Sequence, residues 1–118
     1  MDFMKRIEAT IRPYKQEQVL QALAKIGNFG VTVREGLSSA TESLHSDLYQ
    51  SAQQGLEGFE LVPRHVLVMY VEDEQVDEIV NLIVSIAQTG KIGDGRIAVL
   101  PLDRIIRIRT GEEGSDAL

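Results

Sequence analysis

The chain contains no cysteine, which rules out disulfides, thiolate metal sites and a thiol nucleophile, and suits a reducing compartment. Its only two histidines are His45 and His65, too few and too far apart to lay out a metal site by spacing. Positive charge is also scarce: Lys+Arg 12 against Asp+Glu 18 leave a net charge of −6. Without a basic stripe there is nothing to displace counterions from a nucleic acid or an anionic membrane, so neither is an expected partner. No apolar run approaches the length of a membrane span, and residues 1–12 mix charges through their apolar positions, unlike a signal peptide. A cytoplasmic location is the expectation. No Ser-His-Asp arrangement has local support, and the one stretch rich in nucleophiles is a serine-rich loop, a poor scaffold for catalytic geometry. No catalytic residue is expected.

What the chain does have is an ordinary globular composition, 43% hydrophobic and 25% charged over 118 residues. That is one domain, large enough for a core and small enough to gain from oligomer formation. Ile7, Ala9 and Ile11 alternate with Arg6, Glu8, Thr10 and Arg12, the period of a half-buried strand, which Pro13 ends. Val19, Leu20, Leu23 and Ile26 recur at helical spacing, with Gly27 as the stop. Val31 to Val33 reads as a second strand and His65 to Val71 as a third, with His65 at a sheet edge. Asp73 is placed to cap a second helix with a buried stripe of Val76, Ile79, Val80, Ile83 and Ala87. Ile97 to Leu100 forms a fourth strand and Ile105 to Ile108 a short fifth one. The order is α+β, a ferredoxin-like β-α-β-β-α-β arrangement with an extra C-terminal strand. Its helices cover one sheet face, and the other must meet water or another subunit. Residues 37–61 are too long for a hairpin and rich in Ser, Gln and Gly, the mark of a functional or mobile loop. Glu112, Glu113 and Asp116 read as a flexible acidic tail.

The most informative segment is Gly90-Lys91-Ile92-Gly93-Asp94-Gly95-Arg96, followed later by Arg107-Ile108-Arg109-Thr110-Gly111. Glycines let a backbone close around a phosphate without a Cβ in the way. Successive N–H groups in such a turn form an anion-binding concavity, and Arg adds forked donors. The simplest ligand is a phosphorylated small molecule, a nucleotide above all. The spacing fits neither the P-loop nor the dinucleotide fingerprint. By residue type alone, Arg107 and Arg109 suit a solvated edge strand equally well.

Over most of its length the chain resembles the PII signal-transduction family. Ile7-Glu8-Ala9 with Ile11-Arg12-Pro13-Tyr14-Lys15 is similar to that family's opening strand, and Gly30-Val31-Thr32-Val33 to the approach to its long T-loop. Thr89 to Ile97 resembles its B-loop, and Arg107 to Glu112 its C-loop. The resemblance implies a single domain over residues 1–118, with a T-loop at about 37–61, a B-loop at about 89–96 and a C-loop at about 107–114. It implies a homotrimer with adenine nucleotide (ATP, ADP or AMP) held in the clefts between subunits. It also implies no catalysis, and a T-loop that docks onto a membrane transporter or metabolic enzyme. Gly90, Lys91, Gly93, Asp94, Gly95 and Arg96 would surround the phosphates. Arg107 and Arg109 would reach them from the neighbouring subunit, and Thr32 would lie near the adenine. Arg96 stands where the family usually has Lys, an exchange that keeps the charge and adds a fork.

The T-loop departs from the pattern. Where the family has Gly-Phe-Gly-Arg-Gln-Lys-Gly-His, this chain has Ser38 to His45, and the Gln that helps hold Mg²⁺ and 2-oxoglutarate aligns with Glu42. The Lys that pairs with 2-oxoglutarate aligns with Arg64. A carboxylate at Glu42 would repel a dianionic keto acid by roughly 1–4 kcal/mol. The expectation is therefore a sensor linked to bicarbonate through Arg64, of the type associated with bicarbonate transporters or carboxysomes. Two alternatives stay open: a conventional nitrogen-regulatory protein sensing ATP, ADP and 2-oxoglutarate, and a weak nucleotide hydrolase. The role of Mg²⁺ is left open, no metal site being expected from the protein itself. His45, Asp47 and Tyr49 are candidate partner contacts, because mobile loops often carry function.

Overall fold

The computed structural model describes residues 3–39 and 61–118. Strand β1 (Met4–Ile11) leads through a 3₁₀ turn at Pro13–Lys15 into helix α1 (Gln16–Ile26). Strands β2 (Val31–Ser39) and β3 (Leu61–Glu72) follow, then a second 3₁₀ turn at Asp73–Gln75, helix α2 (Val76–Ala87) and strand β4 (Arg96–Leu102). All three strand pairings are antiparallel and the sheet order is β2-β3-β1-β4. This is the expected βαββαβ order. No helix among the described residues is long and apolar enough to cross a membrane.

Period-two alternation sorts the strand residues onto two faces. Ile7, Ala9 and Ile11 of β1 and Leu67, Met69 and Val71 of β3 pack with Val19 and Leu23 of α1 and with Ile79, Ile83 and Ala87 of α2, all buried. Of the stripe expected on α2, Val76 and Val80 are only half-buried. The opposite face carries no helix among the described residues. It carries Arg6, Glu8 and Thr10, with Val68 buried beside them and Tyr70 and Leu100 exposed. Arg6 lies over the Tyr70 ring at 6.0 Å and pairs with Glu8 at 2.6 Å.

Several sequence expectations need correction. Helix α2 is not capped by Asp73. Glu72 is the N-cap of the 3₁₀ turn that opens it, and its backbone N–H donates to Gln75 Oε1 at 2.9 Å in a capping box. Gly27 does end α1, but in extended rather than left-handed backbone. A Cβ there would stand 2.5 Å from the Phe29 ring, so the small residue makes room for an aromatic lid over the helix end. His65 is not at an edge, because β3 lies between β2 and β1. Its Nδ1–H donates to Gln16 Oε1, and Glu35 Oε1 lies 3.7 Å from its Nε2.

The predicted fifth strand is reduced to a single bridge between Ile106 and Glu113. The chain there folds back on itself: Arg107 N–H donates to Glu112 O at 2.9 Å and Gly114 N–H to Ile105 O at 3.2 Å. Backbone groups satisfied locally have no need of the sheet. The acidic residues after it are accordingly ordered rather than a loose tail. Glu112 pairs with Arg107 at 3.3 Å, Glu113 with Arg104 at 2.6 Å, and Asp116 sits in a 3₁₀ turn at Gly114–Ala117.

Strands β2 and β3 also run further than expected, with Leu37 paired to Pro63 and Ser39 to Leu61. They outrun β1, whose pairing with β3 stops at Ile11 and His65. Pro63 is tolerated there because its strand has a neighbour on one side only, and Pro101 because β4 is an edge. Glu42, His45, Asp47 and Tyr49 lie outside the described residues.

Candidate functional site

Sheet register gathers the cations at one end of the helix-free face. Arg34, Val66, Thr10 and Arg96 form one row across the four strands. Arg64 and Arg12 come next along β3 and just past β1. Over this end of the sheet curls the segment 89–95, which joins α2 to β4. Its glycines turn the chain: Gly90, Gly93 and Gly95 have φ of 82°, 101° and 100°, a region open mainly to glycine. Gly95 is the tightest, since a Cβ would stand 1.8 Å from the carbonyl oxygen of Thr10.

Asp94 organises this loop from inside. Its Oδ2 accepts the backbone N–H groups of Thr89 and Gly90, both at 2.9 Å, and its Oδ1 accepts the Thr89 hydroxyl at 2.5 Å and one Arg12 nitrogen. The Thr89 hydroxyl foremost, and then the Arg12 guanidinium, hold the Asp94 carboxyl far below the usual carboxylate range, against a smaller upward push from burial. Asp94 is therefore a fixed anion. The N–H of Gly90 is committed within the loop, and that of Lys91 donates to Thr89 Oγ1 at 3.2 Å.

Two arginines hold the next carbonyls. Arg12 donates to Ile92 O at 3.0 Å and Arg64 to Gly93 O at 3.0 Å. The expectation for Arg64 was a contact with a second ligand. Here it tethers the start of β3 to the 89–95 loop. Arg12 was no site candidate at all. Only the antiparallel register that sets Thr10 opposite Arg96 puts it under the loop, and no sequence pattern carries that information. Arg34 was missed for the same reason.

The remaining candidates divide cleanly. The side chains of Lys91 and Arg96 are exposed and make no hydrogen bond or ion pair among the described residues. Thr32 is exposed on β2, facing the same side as the cation row and one row further along. Arg107 binds Glu112 and donates to Leu118 O at 3.2 Å. Arg109 is exposed without a partner among the described residues. No hydrogen bond or ion pair joins residues 103–111 to the 89–95 loop within one chain. Among the described residues no group of His, Cys, Asp or Glu converges as a metal site.

Comparison with known proteins agrees over the whole length. A family model described as Nitrogen regulatory protein P-II matches residues 4–112. Nitrogen regulatory protein P-II of Pasteurella multocida is 43% identical over 115 residues, covering 98% of this chain and 100% of that protein. Nitrogen regulatory protein P-II 1 of Escherichia coli is 42% identical over the same coverage. Among solved structures, Arabidopsis thaliana PII bound to citrate aligns with a TM-score of 0.76 at 35% identity, over 99% of this chain and 94% of that one.

Proposed function

The chain belongs to the P-II nitrogen regulatory family, a family of signalling proteins rather than enzymes, and from that premise we infer that it binds an adenine nucleotide at the 89–96 loop. The observation that carries this reading is the loop itself. It is held by an internal carboxylate, turned by three left-handed glycines and flanked by the cations Lys91 and Arg96, which are unpaired among the described residues. A phosphate arriving there meets two cationic side chains that need not be released from partners among the described residues. Arg107 and Arg109 complete the cleft from a second copy, which accounts for their lack of any contact with the loop in their own chain. A homotrimer provides such clefts. It would also cover Tyr70 and Leu100 on the helix-free face and Ile108, which is 98% exposed.

The nucleotide in the cleft selects the state of the T-loop, and with it the affinity for a transporter or enzyme. That requires the ligands to differ in affinity for two loop states. The relatives are named for nitrogen regulation, and this favours the conventional reading, with 2-oxoglutarate as second effector, over the bicarbonate one. The bicarbonate expectation rested on Glu42, which lies outside the described residues. Arg64 at the loop can serve either anion. Calorimetric titration with ATP, ADP and AMP, with and without 2-oxoglutarate or bicarbonate, tests both. Tightening of Mg-ATP by 2-oxoglutarate is the expected result. Tightening by bicarbonate alone would return the carbon-linked reading, and absence of any nucleotide binding would remove the proposal. Turnover of ATP abolished in the Arg107→Ala/Arg109→Ala protein would point to a hydrolase.

A further inference from the structure

Arg12 lies largely covered at the loop, with a side chain 15% accessible to solvent. One of its nitrogens donates both to Asp94 Oδ1 and, at 3.3 Å, to Thr89 Oγ1, and the other donates to Ile92 O at 3.0 Å. That second nitrogen stands 3.3 Å from where a Cβ on Gly93 would be. A single guanidinium thus spans the start, the middle and the end of the turn. Its own backbone is anchored: the residue before it is paired to β3 and the residue after it is Pro13. No other described side chain reaches so much of the loop.

We propose that Arg12 is a positioning residue for nucleotide binding: planted at the end of β1, it clamps the 89–95 loop through Asp94 and the Ile92 carbonyl. It acts through the loop because its hydrogen bonds go to Thr89, Asp94 and the Ile92 carbonyl. Both terminal nitrogens donate to the loop, through three of the five N–H groups of the guanidinium. A clamp formed before the ligand arrives removes an ordering cost that binding would otherwise meet. Lysine could supply the charge but not the fork, because an ammonium is a point donor that cannot span Asp94 and Ile92 O in one plane.

The inference rests on the nucleotide reading for its ligand but has a readout of its own. Arg12→Met keeps the length and removes the donors. In the unliganded protein it should speed amide hydrogen exchange at Thr89 and Gly90 while leaving β1 and β3 protected. ATP affinity should fall by about tenfold or more, the scale on which outer positioning partners act at bound ions, and Arg12→Lys should fall between the two. In a double-mutant cycle, Arg12→Met added to Asp94→Asn should cost little more than Asp94→Asn alone, because both break the same clamp. Additive losses would overturn the proposal and make Arg12 a direct phosphate ligand. Unchanged exchange at Thr89 and Gly90 would overturn it whatever the nucleotide result. A wild-type protein that binds no ATP would sink the nucleotide reading alone, leaving the exchange comparison to decide the clamp. Should Arg12→Met not fold, Arg12→Lys gives the same comparisons.

Discussion

Two segments of this chain combine glycines with basic residues, and they are built in opposite ways. The 89–96 loop is tied together from within its own chain: Asp94 takes two amides and a hydroxyl, while Arg12 and Arg64 take two carbonyls. In the segment 103–114 the backbone closes a small hairpin, but Arg109 and Ile108 project into solvent and Arg107 meets only its own neighbours and Leu118. The first segment is complete in one chain. The second has the composition of half a site, with an apolar residue between two cations and nothing opposite them. A preformed loop and an unmatched arm are what a cleft shared between subunits requires.

The contrast can be broken at several points. The largest effect should come from the arm. Arg107→Ala/Arg109→Ala removes two charge-assisted contacts, each worth about 1.5–3 kcal/mol. Nucleotide affinity measured by calorimetry should therefore drop by roughly a hundredfold or more, with the thermal melt little changed because the arginines are peripheral to the core. Unchanged affinity would mean the arm is not part of the site.

In the loop the effects should appear in stability first. Gly95→Ala forces a Cβ against the Thr10 carbonyl and keeps a left-handed φ, which should cost about 2–4 kcal/mol in denaturant unfolding. Gly90→Ala shares the left-handed φ but meets nothing within 4 Å, and about 1 kcal/mol is expected. Equal costs at the two positions would show that the loop relaxes freely and is not preformed.

Asp94 gives a pH test with a definite sign. Its folded-state pKa lies far below its ordinary value of 3.8, so the unfolded chain binds its proton first as pH falls. The stability it contributes is complete above about pH 4 to 5 and is lost progressively below, towards the folded-state value. Asp94→Asn should therefore be less stable than wild type at pH 7, and the gap should narrow only in acid. A gap that closes near neutrality would contradict the bonded carboxylate. The smallest effect belongs to Arg104→Ala. Its pair with Glu113 is exposed on both sides, and under about 1 kcal/mol and no change in nucleotide affinity are expected.

Much of this was legible before any coordinates. Alternation in Ile7, Ala9 and Ile11 marked β1, and helical spacing marked α1 and α2, because each of these patterns is dictated by which side chains must leave water. The glycines of 90–95 announced a turn with unusual backbone angles. The fifth strand was misread because Ile105 to Ile108 has the right residues for a strand, while its hydrogen bonds go to Glu112 and Gly114. Residue type does not say where a backbone group finds its partner.

What the sequence determined by itself is therefore the two helices and four strands, most of their buried faces, and the family. Each of these depends on a local period or on a contiguous motif. What only the tertiary structure decided is the wiring of the loop: Asp94 as its internal anion, Arg12 beneath it, and Arg64 joining it to the start of β3. Arg12 and Asp94 meet because an antiparallel register sets Thr10 beside Arg96, and Arg64 arrives from a third strand. Pairings between residues so far apart in the chain leave no periodic trace in it, since they follow from how the strands stack and not from any property of one segment.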